Sequence, residues 1–141
     1  MSEQDVANLR SFLDGWDPKA DLEAWKRGEP RGTALSDPDV AYEDTILPDH
    51  VGETYRGYDG IARATERWLK PFDTLATPLD RVVGDGEVLV SIHRVHAKAH
   101  HTGMEFAESL AYLWTFRDGK VMHLKSYWDP ADALEAAGLT E

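Results

Sequence analysis

The chain has 141 residues, a formal net charge of −11 from 15 Lys and Arg against 26 Asp and Glu, and no cysteine. That length suits one domain, residues 1–141, built around one core. The acidity argues against nucleic acid and an anionic membrane as partners, since both are held through basic patches, and the lack of cysteine excludes disulfides, thiolate catalysis and Cys-ligated zinc.

The first residues are acidic and lead into an amphipathic pattern, without the basic start and apolar run of a signal peptide. Nothing approaches the apolar length that spans a bilayer. The expectation is a soluble, cytoplasmic protein. Val6, Leu9, Leu13 and Trp16 recur at helical spacing. Asp17-Pro18 breaks that pattern, and Ala20, Leu22, Ala24 and Trp25 resume it as a second short helix.

A turn is expected at Ser36-Asp37-Pro38-Asp39, then a strand from Val40 to Ile46 and another from Val51 to Arg56. Val40, Tyr42 and Asp44 share one face of the first strand. From Gly57 to Phe72, the residues Ile61, Ala64, Trp68, Leu69 and Phe72 form the stripe of a helix laid on a sheet. Strands follow over Leu75–Val83 and Glu87–Ala99, with Gly84-Asp85-Gly86 between them. Met104–Phe116 and Val121–Trp128 then flank the tight turn Arg117-Asp118-Gly119-Lys120, and Asp129-Pro130 opens a terminal helix. The fold class is α+β: a curved antiparallel sheet wrapped around N-terminal helices, an arrangement that leaves an apolar pocket.

A two-residue loop at Thr102-Gly103 would set His93 opposite Tyr112 and Val95 opposite Leu110. The less charged set Leu89, Ser91, His93, Val95 and Ala97 then faces inward, with Leu110, Tyr112, Trp114 and Phe116 on the next strand and Leu124, Ser126 and Trp128 on the last. The expected cavity is lined by Tyr42, Asp44, His93, Leu110, Tyr112, Trp114, Leu124, Ser126 and Trp128, with Trp68 contributed by the long helix. A carboxylate there is costly unless solvated, hydrogen-bonded or protonated, which singles out Asp44. On the opposite face, Val88, Val90, Ile92, Ala111 and Leu113 would leave an apolar patch, the basis for expecting a homodimer. The histidines do not suggest a metal: His96 and His100 are about 13 Å apart on a regular strand, too far to share an ion.

Several segments carry a resemblance: Glu43-Asp44 ending the first strand, Tyr55-Arg56-Gly57-Tyr58-Asp59-Gly60-Ile61 opening the long helix, Phe116-Arg117-Asp118-Gly119-Lys120-Val121 at the turn, and Tyr127-Trp128-Asp129 before the Ala133–Leu139 helix. In this order the chain resembles the SnoaL-like branch of the nuclear-transport-factor-2-like superfamily over nearly its whole length. The resemblance implies a cone-shaped α+β barrel, commonly homodimeric, with a deep apolar pocket. Its activities range over isomerases, cyclases, dehydratases, epoxide hydrolases and non-catalytic binding proteins.

Ketosteroid isomerases of that superfamily carry an Asp at the position of Asp44 that moves a proton beside a carbonyl. Tyr112 falls where they present an oxyanion donor, and their Tyr-Trp pair is similar to Tyr127-Trp128, which implies an inward Trp128. Their helix tyrosine has its nearest match by spacing in Leu13, leaving Tyr42 or His93 to replace it. Epoxide hydrolases of the fold need Arg-x-Asp where this chain has Arg94-Val95-His96. Scytalone-type dehydratases combine His, Asp and Tyr, similar in type to His93, Asp44, Tyr42 and Tyr112. The expectation is a protein that binds a small apolar molecule, acting without cofactor or metal as an isomerase or cyclase on a carbonyl substrate. Asp44 is the expected base, helped by Tyr112 and His93. The alternatives are a non-catalytic binding protein or a dehydratase.

Overall fold

The computed structural model describes residues 2–14, 16–27, 35–44, 53–84 and 86–140, without the side chains of Ser2, Trp25 and Phe106. Two short helices lead: α1 (Ser2–Leu13) and α2 (Pro18–Lys26). Asp17 caps the second, its Oδ1 accepting from Lys19 N at 3.0 Å, with Pro18 pre-set for the first helical position. Strands β1 (Ser36–Asp44) and β2 (Glu53–Arg56) precede helix α3 (Gly57–Leu69). Then come β3 (Phe72–Ala76), β4 (Leu79–Val83), β5 (Val88–Ala99), β6 (Glu105–Arg117), β7 (Lys120–Tyr127) and helix α4 (Pro130–Ala137).

The sheet runs β2-β1-β7-β6-β5-β3, with β4 also paired to β5. It is mixed rather than wholly antiparallel, because β1 lies parallel to β7. The β6–β7 turn is as the Asp-Gly pair predicts: Arg117 faces Lys120, and Asp118 and Gly119 both take positive φ (53° and 78°), the two-residue type I′ geometry that matches strand twist.

Three boundaries differ from the sequence reading, each for a local reason. β1 begins at Ser36, inside the expected turn, and its pairing with β7 is irregular between Ser36 and Ala41, where Pro38 has no N–H to give. The expected strand 75–83 is two strands, parted at Thr77-Pro78; Arg94 N bonds the Pro78 carbonyl at 3.1 Å across the break. The β5–β6 connection is longer than two residues, since the last pair is Lys98 with Glu105. His93 therefore faces Leu110 and Val95 faces Glu108, while Tyr112 faces Ser91. That shift from the expected register is two residues, so every side chain keeps its side of the sheet.

The inner face carries the main core. Leu89, Val95, Leu110, Tyr112, Trp114 and Phe116 pack with Leu9 and Leu13 of α1 and Trp68 of α3. On the outer face Val90, Ile92, Ala111 and Leu113 form a second core with Ala133, Leu134 and Ala137 of α4 and with Leu139. The apolar patch expected to lie open in a monomer is thus covered by the chain's own C-terminal helix. Asp129 caps that helix, its Oδ1 accepting from Ala131 N at 2.9 Å, and Gly138 ends it in the left-handed conformation (φ 71°).

Candidate functional site

Between the curled sheet and the helices lies a cavity that encloses about 80 Å³ in which the centre of a water molecule can move. One water needs roughly 10–15 Å³ by this measure, so a compact organic group fits. The sheet supplies Val40 and Tyr42 of β1, Tyr112 and Trp114 of β6, and Val121 and Leu124 of β7. Helix α3 supplies Ile61, Ala64, Thr65 and Trp68; α1 and the corner after it add Phe12, Leu13 and Trp16; Asp21, Leu35 and Ser36 complete the wall.

The aromatic rings touch one another around this space. Trp16 stacks on Trp68 (centroids 6.4 Å), Trp68 meets Tyr112 edge-on (6.5 Å), and Tyr112 lies against Trp114 (5.9 Å). They come from three separate elements, so the wall exists only when the fold is complete.

Of the residues expected to line the pocket, Tyr42, Trp68, Tyr112, Trp114 and Leu124 do so. Asp44, His93, Leu110 and Ser126 are buried but stand behind that lining. Trp128 does not belong to it: β7 ends at Tyr127, and the indole beyond it is 41 % exposed. The Tyr-Trp resemblance carried Trp128 inward, but the alternation of the strand stops one residue before it. Phe12, Trp16, Ile61 and Ala64 were missed as lining residues. Their signal was present, because Trp16, Ile61 and Ala64 belong to the apolar helical stripes that must face the sheet.

Asp44 closes β1 and is 1 % exposed. Tyr42, two residues earlier on the same face, lies level with Leu124 of β7. Its phenol pKa is pushed far up, first by burial and then by the Asp44 charge, while the Ser126 hydroxyl beside it acts the other way. Tyr112 is likewise raised well above its ordinary value, by burial first and then by Tyr42 and Asp44. Both phenols therefore stay protonated and available as donors. Among the described residues the Tyr112 hydroxyl makes no hydrogen bond. Tyr42 and Tyr112 thus lie on the cavity wall within the field of the Asp44 carboxylate behind it.

His93 has a different place. Its Nδ1 lies 3.1 Å from the Thr77 carbonyl, which can only accept, so Nδ1 carries the proton. Nε2, 2.9 Å from Ser91 Oγ, is then the acceptor. Ser91 donates to it and accepts from Trp114 Nε1 at 2.8 Å. Burial lowers the imidazole pKa to about 4, against a smaller upward effect of the Thr77 bond. Both ring nitrogens are occupied, so this neutral histidine holds Trp114 in place through Ser91 and offers no free nitrogen to a substrate.

Among the described residues no group of three or more His, Asp or Glu is arranged to hold a metal ion, and His100 pairs with Asp73. No helix among them is long and apolar enough to cross a membrane.

Sheet, helices and the partly open cavity between them define a cone-shaped α+β protein. The sequence signature of the SnoaL-like domain matches residues 9–124, and the chain belongs to that family. Solved structures share the fold at low identity. A protein from Jannaschia sp. CCS1 assigned as a SnoaL-like polyketide cyclase is 16% identical, with a TM-score of 0.69 over 99% of this chain and 94% of its own. An NTF2-like protein from Burkholderia thailandensis E264 is 24% identical, with a TM-score of 0.63 over 87% and 95%. A protein with a ketosteroid isomerase-like fold from Catenulispora acidiphila DSM 44928, in complex with trimethylamine, is 18% identical, with a TM-score of 0.59 over 76% and 79%. No curated protein matches the chain.

Proposed function

We propose that the cavity binds a small, largely apolar molecule and that the chain acts on a carbonyl compound there, as a cofactor-independent isomerase or cyclase. The observation that carries this reading is the enclosure of Asp44 behind two cavity-lining phenols that both feel its charge. In this chemistry the Asp44 carboxylate accepts a proton from the carbon beside the carbonyl. The electron pair moves onto the carbonyl oxygen, which the Tyr112 hydroxyl stabilises by donating a hydrogen bond. The proton returns from Asp44 to another carbon as the enolate pair moves back, or the enolate carbon attacks a second carbonyl and closes a ring, the alkoxide so formed taking the proton from Asp44.

One observation favours a second reading, a binding protein without chemistry: Asp44 is not itself among the lining residues. Asp44→Asn separates the two, since the amide keeps the volume but cannot act as a base. Screening steroid, polyketide and terpenoid carbonyl compounds for turnover or α-proton exchange should reveal activity that the variant loses by about 10²-fold or more, with folding intact. Unchanged activity in Asp44→Asn would remove the base assignment; binding with no exchange in either protein would establish the second reading.

A further inference from the structure

Only one lining side chain is charged, Asp21, and no Lys, Arg or His lines the cavity among the described residues. Asp21 is half-buried on α2, and its carboxylate has no ion-pair or hydrogen-bond partner among them. The rest of the wall is dominated by the rings of Phe12, Trp16, Tyr42, Trp68, Tyr112 and Trp114. Aromatic faces carry negative charge density, and such rings attract a cation, most strongly where water is excluded. An anionic guest would find neutral donors such as the Tyr112 hydroxyl and the Trp16 indole N–H but, among the described residues, no cationic side chain on the wall to balance its charge.

We propose that the guest of this cavity carries a cationic nitrogen with an apolar surface, an alkylammonium group, held by the aromatic wall and by Asp21. This rests on the cavity being a ligand site, and it narrows the carbonyl substrate to one that bears such a group. The Asp44 charge, which adds to burial in raising the pKa of Tyr42 and Tyr112, acts in the same direction. A positive nitrogen near the carbonyl also offsets the charge that forms on the enolate oxygen, adding to the hydrogen bond from Tyr112.

Calorimetric titration of the whole chain with three molecules of nearly the same shape tests this: choline, its uncharged carbon counterpart 3,3-dimethylbutan-1-ol, and the anion 3,3-dimethylbutanoate. Choline should bind roughly ten- to thirtyfold tighter than the alcohol, and the anion should bind weakest. Asp21→Asn, at a partly exposed helical position, should keep its circular dichroism and narrow the choline-to-alcohol ratio severalfold. Equal or tighter binding of the alcohol would overturn the charge preference while leaving the cavity as an apolar ligand site. No binding of choline at millimolar concentration would overturn the inference outright, and neither outcome bears on the turnover comparison of Asp44→Asn.

Discussion

Trp114 stands diagonal to Ser91 across the β5–β6 ladder, where Ser91 is paired with Tyr112 and Trp114 with Leu89, and the indole Nε1–H donates to the serine oxygen at 2.8 Å. Because Ser91 also donates to His93 Nε2, a single hydroxyl satisfies two buried groups. Ser91→Ala leaves the indole N–H and the imidazole nitrogen without partners in a region closed to water. Each orphaned group costs about 1–3 kcal/mol, so the variant should lose about 2 kcal/mol or more in urea unfolding. A loss below about 0.5 kcal/mol would show that the relay contributes nothing to the fold.

The same relay sets a pH dependence. His93 titrates at about 4 in the folded protein against an ordinary 6.5, because burial disfavours its charged form. Between those values the unfolded chain binds the extra proton and the folded chain does not. Stability from this group is complete above about pH 6.5 and is lost as pH falls towards 4, by about 3 kcal/mol in all. Urea unfolding measured at half-unit steps from pH 7 to 4 should show the decline, and His93→Gln should flatten it. A wild-type curve that is level across this interval would mean that the imidazole is charged in the fold.

Tyr112 separates stability from chemistry. Its ring is packed between Trp68 and Trp114, whereas its hydroxyl has no hydrogen-bond partner among the described residues. Tyr112→Phe keeps the packing, so its unfolding free energy should stay within about 0.5 kcal/mol of wild type. If the hydroxyl stabilises an enolate oxygen, kcat on an identified carbonyl substrate should fall by about 10²- to 10³-fold with a smaller change in KM. Equal kcat would assign the hydroxyl to ligand fit alone.

Much of this arrangement is legible in the sequence, and the reasons are specific. The Asp118-Gly119 turn is read correctly because two consecutive positive φ angles leave few residue choices. The inward set of β5 survives a register error because that error is two residues, the period of the strand. Trp128 is misplaced because periodicity does not mark where β7 ends. The role of His93 is not readable at all: it depends on the Thr77 carbonyl, exposed by the break between β3 and β4 sixteen residues earlier. The expected strand over Thr45 and Ile46 and the start of the next at Val51 and Gly52 lie outside the described residues.

Covering of the outer face by α4 makes the last prediction. Val90 and Ala111 are fully buried, and Ile92 and Leu113 nearly so, under Ala133 and its neighbours. Removing residues 129–141 would uncover these four side chains together, a continuous apolar surface that water disfavours at roughly 25 cal/mol per Å². The truncated chain should therefore be less stable, bind a neutral hydrophobic dye more strongly, and associate with rising concentration in light scattering. In the full-length chain these four side chains are covered by α4. If the truncated chain instead remains monomeric and as stable as the full one, the second core is not what holds α4 to the sheet.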